Sequence, residues 1–363
     1  MIPKIHLIAG ARPNFMKIAP LYHALSGQAW CQPVLVHTGQ HYSANMSDVF
    51  FTDLRLPAPD HHLEVGSGSH AEQTGTVMVA YEKLCLAAPP AWVVVVGDVN
   101  STLACAITAK KLCLPVAHLE AGLRSRDRSM PEEINRLVTD SISDLLWTPS
   151  PDADENLLAE GVDPARIECV GNIMIDSFEM MQARISAETV VQDLGLKAND
   201  YAVATLHRPA NVDHAESLGR IVDSLVTLQQ DLPMIFPVHP RTQQALIKFG
   251  LEQRLTASGV RLVEPMGYVR FMALVSKARF AVTDSGGLQE ETSHMGVPCL
   301  TLRPNTERPI TVTEGTNRLV DTTSLVAAAR SARRTAGRNI ALWDGNTAQR
   351  VSHSLRRHCA TPQ

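Results

Sequence analysis

Short apolar runs of strand length recur along this chain, with helical stretches between them. The runs are continuous rather than alternating, as in residues 92–96, and this pattern indicates strands buried on both faces of a parallel sheet. Regular alternation of such strands with helices predicts an α/β fold with right-handed crossovers. The predicted strands cover residues 5–9, 34–38, 92–96, 116–119, 145–148, 167–170, 201–206, 234–238, 260–263, 280–283, 298–302 and 318–320.

Six of these strands fall in each half of the chain, which predicts two doubly wound, Rossmann-like domains with a cleft between them. A length of 363 residues also exceeds that of one typical domain. We place the N-terminal domain at residues 1–172 and the C-terminal domain at residues 173–345. A terminal helix within residues 346–363 is predicted to pack back on the N-terminal domain. Ligands of such sheets bind beyond the carboxyl ends of the strands, so polar residues there are the functional candidates.

The composition argues against several classes of protein. The net charge of -4 lacks the basic excess of a nucleic-acid binder, and no apolar run approaches the length of a membrane span. The first strand begins near the N-terminus without a signal-peptide layout. The seven cysteines include no C-x-x-C pair and no zinc-like spacing, and there is no H-E-x-x-H. We expect a cytoplasmic protein with reduced cysteines, no metal, and no nucleic-acid or membrane partner.

The segment 283–291, Thr-Asp-Ser-Gly-Gly-Leu-Gln-Glu-Glu, follows a predicted strand and leads into a helix that Gly296 ends. A helix start offers unpaired backbone N–H groups and the positive end of the helix dipole, and glycines let an anion approach that backbone. Residues 285–287 are therefore a candidate phosphate site, and the acidic pair that ends the segment suits sugar hydroxyls. The alternative is an ordinary helix start with Ser285 as its N-cap.

Carboxyl groups follow the predicted strands of the first half. Asp98 follows the third strand, Glu120 follows the fourth, and Glu132 begins the next helix. Such groups are candidates for proton transfer, because partial burial raises their pKa. The alternatives are an N-cap role for Asp98 and an ion pair between Glu132 and Arg136, one helical turn apart.

Cations lie at other strand ends. Arg12 and Lys17 follow the first strand, the pairs His207–Arg208 and His239–Arg241 follow two strands of the second half, and Arg308 follows a third. Each set suits a diphosphate, although Lys17 would also be an ordinary surface residue. No Walker A loop and no G-x-G-x-x-G sequence follows any strand, which argues against an ATP or dinucleotide site.

Eight segments with polar or charged residues occur in order along the chain: Gly-Ala-Arg-Pro-Asn-Phe-Met-Lys (10–17), His-Thr-Gly-Gln-His-Tyr (37–42), Gly-Asp-Val-Asn-Ser-Thr (97–102), Leu-Glu-Ala-Gly-Leu-Arg-Ser (119–125), Met-Pro-Glu-Glu-Ile-Asn-Arg (130–136), Leu-His-Arg-Pro (206–209), the stretch 283–291 and Thr-Glu-Arg-Pro (306–309). On this set the chain resembles the non-hydrolysing UDP-N-acetylglucosamine 2-epimerases, from about residue 4 to about residue 320.

The resemblance implies a GT-B-like fold with UDP in the cleft and the interconversion of UDP-GlcNAc and UDP-ManNAc. In this family UDP is eliminated anti across C1–C2, 2-acetamidoglucal stays bound, and UDP adds back with a proton delivered to the other face. Charge on the leaving diphosphate calls for cations and a helix start, and two sugar faces call for more than one carboxyl group. The resemblance also implies no cofactor, a homodimer, and a supply of UDP-ManNAc for a surface polysaccharide.

The resemblance implies roles for particular residues. The catalytic positions match Asp98, Glu120, Glu132 and His207. The substrate-binding positions match Arg12, Lys17, Arg136, Met266 through its backbone, Phe271 beside the uracil, Ser285, Gly286 and Gly287 at the phosphates, Glu291 at the ribose, and Arg308. Gln40 and His41 match a region that binds a second, activating UDP-GlcNAc in some bacterial members. Glu290 is left without a role.

Several alternatives share parts of this pattern. A hydrolysing relative would release ManNAc and UDP from the same site. An epimerase for a related sugar, such as a UDP-diacetamido uronate, would share both fold and mechanism. A GT-B glycosyltransferase would need an acceptor groove, which no segment marks, and a UDP-sugar sensor would not need so many carboxyl groups.

Overall fold

A computed structural model of the chain describes residues 2–39, 51, 54–337 and 340–360, with only the backbone for Arg12. The chain divides into two compact units. The first comprises Met1–Met180 together with Ala341–Gln363, and the second comprises Met181–Ile340.

Each unit is built on one sheet of parallel strands, as the apolar runs predicted. In the first unit the strands are β1 (Lys4–Ala9), β2 (Gln32–His37), β3 (His61–His62), β4 (Trp92–Val96), β5 (Val116–Leu119), β6 (Leu145–Thr148) and β7 (Ile167–Cys169). In the second unit they are β8 (Ala202–Thr205), β9 (Met234–Pro237), β10 (Arg261–Val263), β11 (Ala281–Thr283), β12 (Cys299–Leu302) and β13 (Asn317–Val320). All twelve predicted strands are present, and β3 is an addition of two residues.

Helices connect the strands. Up to residue 187 they are α1 (Arg12–Ser26), α2 (His70–Ala87), α3 (Asn100–Lys111), α4 (Pro131–Ile142), α5 (Pro151–Ala159) and α6 (Ile173–Ala187), which crosses the unit boundary. Those that follow are α7 (Val190–Asp193), α8 (Pro209–Val212), α9 (Ala215–Gln229), α10 (Pro240–Lys248), α11 (Glu252–Ala257), α12 (Tyr268–Ser276), α13 (Gly286–Met295), α14 (Ile310–Thr313), α15 (Leu325–Ser331) and α16 (Thr347–Ala360). Within the described residues, none of these helices is both long enough and apolar enough to cross a membrane.

Both sheets are doubly wound. The strand order is β3-β2-β1-β4-β5-β6-β7 in the first sheet and β10-β9-β8-β11-β12-β13 in the second. The order therefore reverses between β1 and β4 in one sheet and between β8 and β11 in the other. Ligands of doubly wound sheets bind outside the carboxyl ends of the strands at such reversal points.

Burial of apolar side chains accounts for these elements. All five residues of β4 are buried, as expected for a strand covered on both faces. In α9 the buried positions include Leu218, Ile221, Val222 and Leu225, whose spacing places them on one helical face. That face packs in the core of the second unit with the strand residues Ala202 and Phe236.

The unit boundary lies eight residues beyond the predicted end of the N-terminal domain at residue 172. The strand pattern does end there, but the first turns of α6 belong to the first unit. Asp176 accepts hydrogen bonds from the backbone N–H groups of Thr347 (3.1 Å) and Ala348 (2.8 Å) at the start of α16. Trp147 of β6 donates a hydrogen bond to Ser354 of α16 at 2.9 Å. The terminal helix is thus part of the first unit.

Candidate functional site

At the reversal point of the first sheet, Lys17 of α1 forms a buried ion pair with Glu120, the residue directly after β5. Gly97, directly after β4, lies against this pair. A methyl group at Gly97 would lie 3.0 Å from Lys17 Nζ and 3.2 Å from Glu120 Oε2, and its φ of +67° also favours glycine. The absence of a side chain at Gly97 therefore leaves space for the ion pair between Lys17 and Glu120.

Asp98 follows Gly97 and pairs with Arg136 of α4. Its Oδ2 accepts hydrogen bonds from Arg136 Nε (3.0 Å) and Nη2 (2.5 Å). The guanidinium is buried and also donates to Glu133 at 2.7 Å. Val99 rather than Asp98 is the N-cap of α3. The structure thus gives Asp98 a cation partner at the strand end instead of a helix-capping role.

The adjacent residues Glu132 and Glu133 differ in their surroundings. Glu133 is buried and accepts hydrogen bonds from the backbone N–H groups of Ser125 (2.9 Å) and Arg126 (2.7 Å). Burial alone would raise the pKa of Glu133, but these bonds and Arg136 hold it below its usual value. Glu132 is exposed near the start of α4. Glu133 therefore fixes the loop after β5, and Glu132 is available to a ligand.

At the reversal point of the second sheet, Asp284 is fully buried directly after β11. It accepts hydrogen bonds from the backbone N–H groups of His207 (3.1 Å) and Arg208 (2.9 Å) and from Asn211 (3.0 Å). His207 Nδ1 also lies 3.1 Å from Asp284 Oδ1, and the ring is partly exposed. Burial alone would raise the pKa of Asp284, but these partners lower it. The carboxylate therefore holds the His207 loop at the edge of the sheet.

Ser285 occupies the N-cap position of α13, but its side chain makes no capping hydrogen bond in the described structure. The next two glycines have different surroundings. A methyl group at Gly286 would lie 2.7 Å from Glu307 Oε1 and 2.9 Å from Arg308 Nη1, whereas one at Gly287 would have no atom of the described residues within 4 Å. Gly286 thus makes room for the arginine, and Gly287 leaves open space at the helix start for a ligand.

Four buried charges alternate beside this helix start. Arg303 pairs with Glu307 at 2.8 Å, Glu307 pairs with Arg308 Nη1 at 2.5 Å, and Arg308 Nε pairs with Glu290 at 2.7 Å. Burying an ion is costly unless it is paired, and here each charge has an opposite neighbour. Glu290, which had no role in the sequence analysis, therefore helps to fix Arg308 beside Gly286.

Glu291 is buried on α13 and accepts a hydrogen bond from the hydroxyl of Tyr268 at 2.6 Å. Burial raises its pKa to about 8, with a contribution from neighbouring Glu290. Phe271 and Met266 are half-buried, Phe271 on α12 with Tyr268 and Met266 just before that helix. The predicted uracil and ribose residues thus lie on or beside two helices of the second unit.

Three predicted residues cannot be placed as side chains. Arg12 begins α1, but only its backbone is described, and Gln40 and His41 lie outside the described residues. Among the residues that are described, no group of three or more His, Cys, Asp or Glu side chains is arranged to hold a metal ion.

Sequence reasoning missed Tyr268, Asp284, Glu133 and Glu307. All four lie in or beside segments that the resemblance singled out. Their partners are distant in the chain or lie one turn away, so no local pattern marks them. The acidic pairs at 132–133 and 290–291 carried a signal, because two adjacent acids on a helix point in different directions and so meet different partners.

Two doubly wound units, with carboxyl–cation pairs beyond one sheet and an open helix start beside arginines in the other, define a Rossmann-like α/β protein of the nucleotide-sugar enzyme type. The sequence model of the UDP-N-acetylglucosamine 2-epimerase family matches residues 23–356. The chain belongs to this family.

Individual relatives with similar sequences are also named as UDP-sugar 2-epimerases. The UDP-N-acetylglucosamine 2-epimerase of Methanocaldococcus jannaschii is 44% identical over 330 residues, covering 87% of this chain and 88% of the relative. The UDP-2,3-diacetamido-2,3-dideoxy-D-glucuronate 2-epimerase of Pseudomonas aeruginosa is 41% identical over 321 residues, with 87% and 88% covered. At nearly equal identity, these two relatives are thus named for different UDP-sugars.

Solved structures give the same fold. The crystal structure of the M. jannaschii UDP-GlcNAc 2-epimerase, in complex with UDP-GlcNAc and UDP, has a TM-score of 0.88 to this chain at 40% identity. The similarity covers 98% of this chain and 99% of that chain. The predicted α/β, GT-B-like fold class is confirmed.

Proposed function

We propose that this protein is a non-hydrolysing UDP-GlcNAc 2-epimerase that interconverts UDP-GlcNAc and UDP-ManNAc. The observation that carries the proposal is the pairing of Glu120 with Lys17 and of Asp98 with Arg136 at the reversal point of the first sheet. It occurs in a chain that is 40% identical, over nearly its whole length, to an enzyme crystallised with UDP-GlcNAc and UDP. Carboxyl groups at such a point suit proton transfer at a sugar carbon.

The two units supply different parts of the reaction in this proposal. The first unit (predicted as residues 1–172) acts on the sugar through Asp98, Glu120 and Glu132. The second unit (predicted as residues 173–345) binds UDP. Gly287 and the first N–H groups of α13 receive phosphate oxygens, because a helix start attracts anions. Arg308 and His207 add positive charge or hydrogen-bond donors.

The reaction begins with removal of the proton on C2 of the sugar by a carboxylate. The C2 electron pair forms the C1–C2 double bond, and the C1–O bond breaks with its electron pair going to the β-phosphate oxygen of UDP. Cations and oriented N–H groups stabilise that charge. UDP then adds back to C1, and a second carboxyl group delivers a proton to the other face of C2.

Retention of UDP separates this chemistry from hydrolysis. A hydrolysing enzyme would release ManNAc and UDP, whereas here UDP must stay bound after its bond to the sugar is broken. Glu291 supports retention by accepting hydrogen bonds from the ribose, and Phe271 by packing beside the uracil. Met266 contributes its backbone.

A second candidate substrate is a UDP-2,3-diacetamido uronate. It is favoured by the 41% identity to the P. aeruginosa enzyme, which is close to the 44% identity to the M. jannaschii enzyme. The chemistry at C1 and C2 is the same for both sugars, so the residues discussed above serve either one. The two substrates differ in their 3-substituent and in the C6 carboxylate of the uronate.

We further propose that the protein is a cytoplasmic homodimer and that its product supplies a surface polysaccharide. These features follow from the resemblance to the family. Sedimentation at micromolar concentration tests the assembly: a single species of twice the 39.6 kDa chain mass supports the dimer, and a monomer contradicts it.

Incubation in D2O with each nucleotide sugar in turn, followed by proton NMR, tests the function. The proposal predicts deuterium at C2 and a mixture of UDP-GlcNAc and UDP-ManNAc. Exchange only with the diacetamido uronate would assign the protein to the second substrate. Free ManNAc as the main product would assign it to the hydrolysing enzymes, and no C2 exchange with either sugar would refute an epimerase function.

A further inference from the structure

Three residues near the carboxyl groups of Asp98 and Glu120 have a left-handed backbone conformation. Gly97 has a φ of +67°, Glu120 of +74° and Gly122 of +80°. Glu120 is not a glycine, so its left-handed backbone costs conformational energy that the surrounding contacts must offset. One contact is clear: the backbone N–H groups of Glu120 and Ala121 both donate to the carbonyl of Trp147 at 3.0 Å.

His118 is a fully buried histidine of β5, two residues before Glu120. Its Nε2 is 2.8 Å from the carbonyl oxygen of Gly97, and its Nδ1 is 2.6 Å from Asp140 Oδ1. A carbonyl only accepts hydrogen bonds, so Nε2 must carry a proton. The imidazole therefore donates to the residue directly before Asp98.

Asp140 of α4 binds the backbone on the other side of Glu120, at Gly122. Its Oδ2 accepts hydrogen bonds from the backbone N–H of Gly122 (3.1 Å) and from Arg124 Nη1 (2.7 Å). Burial alone would raise the pKa of Asp140, but His118 and Arg124 hold it below its usual value. Arg124 in turn pairs with Glu160 at 2.7 Å. One buried His–Asp pair thus binds both Gly97 and Gly122, on either side of Glu120.

The contacts continue to the carboxyl group itself. The carbonyl of Gly97 faces His118, and its α-carbon faces Lys17 and Glu120, since a methyl group there would lie 3.2 Å from Glu120 Oε2. A shift of Gly97 would therefore move both Asp98, the next residue, and the space in which the Glu120 carboxyl group sits.

We propose that His118 and Asp140 are positioning residues of the epimerisation reaction, which hold the turns at Gly97 and Glu120 so that the two carboxyl groups face the sugar. The inference rests on the proposed function. His118 and Asp140 act through Glu120 and Asp98 and do not exchange a proton with the substrate. We expect their replacement to lower activity by about 10–100-fold, the loss that follows replacement of the residues that orient metal ligands, because a reactive group must be held in its productive geometry.

The test compares H118Q and D140N with H6Q as the matched control. His6 is an equally buried histidine of β1, but its Nδ1 bonds the hydroxyl of Tyr81 at 3.1 Å, away from the carboxyl groups. We expect C2 deuterium exchange to fall roughly 10–100-fold in H118Q and D140N, with UDP affinity within about twofold of wild type. H6Q should keep its exchange rate. Wild-type exchange in H118Q would overturn the proposal.

A double variant separates positioning from a general loss of structure. His118 acts through both Glu120 and Asp98, so H118Q should slow C2 exchange less in the E120Q background than in wild type, because only its effect on Asp98 remains. Fully multiplied losses in H118Q/E120Q would overturn the proposal.

Amide hydrogen exchange gives a readout that does not need turnover. Peptides covering residues 97–104 and 119–126 should exchange faster in H118Q than in wild type or H6Q. Unchanged protection in H118Q would overturn the positioning role. Absence of C2 exchange in the wild type would instead refute the proposed function.

Discussion

The hydroxyl of Tyr268 donates a hydrogen bond of 2.6 Å to Glu291, and this pair joins α12 to α13 in the second unit. Both groups are perturbed by burial, which raises the pKa of Tyr268 well above its usual value and that of Glu291 to about 8. One oxygen of the Glu291 carboxyl group thus has a fixed hydrogen-bond donor, the hydroxyl of Tyr268. Its protonation links the stability of the second unit to pH near neutrality.

Stability should reveal this linkage. Glu291 has a pKa of about 8 when folded, against about 4.3 when unfolded, so between these values the folded protein keeps a proton that the unfolded chain has lost. The free energy of unfolding therefore falls as pH rises through this window. The glutamine of E291Q does not titrate, so this pH dependence is absent in the variant. The free energy of unfolding of E291Q, relative to that of wild type, should therefore increase by up to about 1.4 kcal/mol per pH unit. Chemical denaturation of the ligand-free proteins at pH 5 to 8 measures this, and parallel curves would contradict it.

The ribose role of Glu291 predicts a selective loss of affinity. E291A should weaken UDP binding by about 2- to 10-fold, because the Glu291 carboxyl group, with a pKa of about 8, is mostly neutral at pH 7 and a neutral hydrogen bond contributes roughly 0.5–1.5 kcal/mol. Binding of the 2′,3′-dideoxy analogue of UDP should change little, since it lacks the hydroxyls that Glu291 would bind. Calorimetry with both ligands measures the difference, and equal losses for the two would refute the assignment.

The adjacent glycines of α13 predict two different variants. G286A places a methyl group 2.7 Å from Glu307 Oε1, so it should lower the free energy of unfolding by about 1–3 kcal/mol and weaken UDP binding. In G287A the added methyl group has no neighbour within 4 Å among the residues that the structure describes, so the variant should keep or slightly raise stability, by up to about 1 kcal/mol. It should still weaken UDP binding, because the methyl group occupies ligand space. A G287A protein with wild-type UDP affinity would show that phosphate does not approach there.

The acidic pair at the start of α4 predicts a separation of activity from stability. E132Q should change the free energy of unfolding by less than about 0.5 kcal/mol, because Glu132 is exposed. It should slow C2 exchange by about 10²–10⁴-fold if Glu132 transfers a proton. E133Q should instead destabilise the protein by about 1–3 kcal/mol, because buried Glu133 fixes the backbone at Ser125 and Arg126. An active E132Q protein would remove Glu132 from the reaction.

The strands could be predicted from sequence because continuous apolar runs such as β4 carry their own signal. Once the strands were predicted, Asp98, Glu120 and Ser285 could be selected because they follow the carboxyl ends of strands, where ligands bind. Strand β3 was missed because two histidines make no apolar run, and their pairing with β2 is set by the sheet.

Contacts between distant segments could not be predicted. The bond between Asp176 and the start of α16 joins α6 to the terminal helix, and the two compact units divide at residue 180. Gly286 carries a glycine signal, but only the structure shows that Arg308 fills the space beside it. The pairing of His118 with Asp140 likewise joins a strand to a helix 22 residues away.

The central claim is that UDP leaves the sugar, stays bound, and adds back. UDP-GlcNAc labelled with ¹⁸O in the bridge between C1 and the β-phosphorus tests this most directly. Once the C1–O bond breaks, the β-phosphate can rotate before UDP adds back, so the label should appear in non-bridging positions of recovered UDP-GlcNAc, as measured by ³¹P NMR. Label that stays in the bridge while C2 exchanges with solvent would contradict the account.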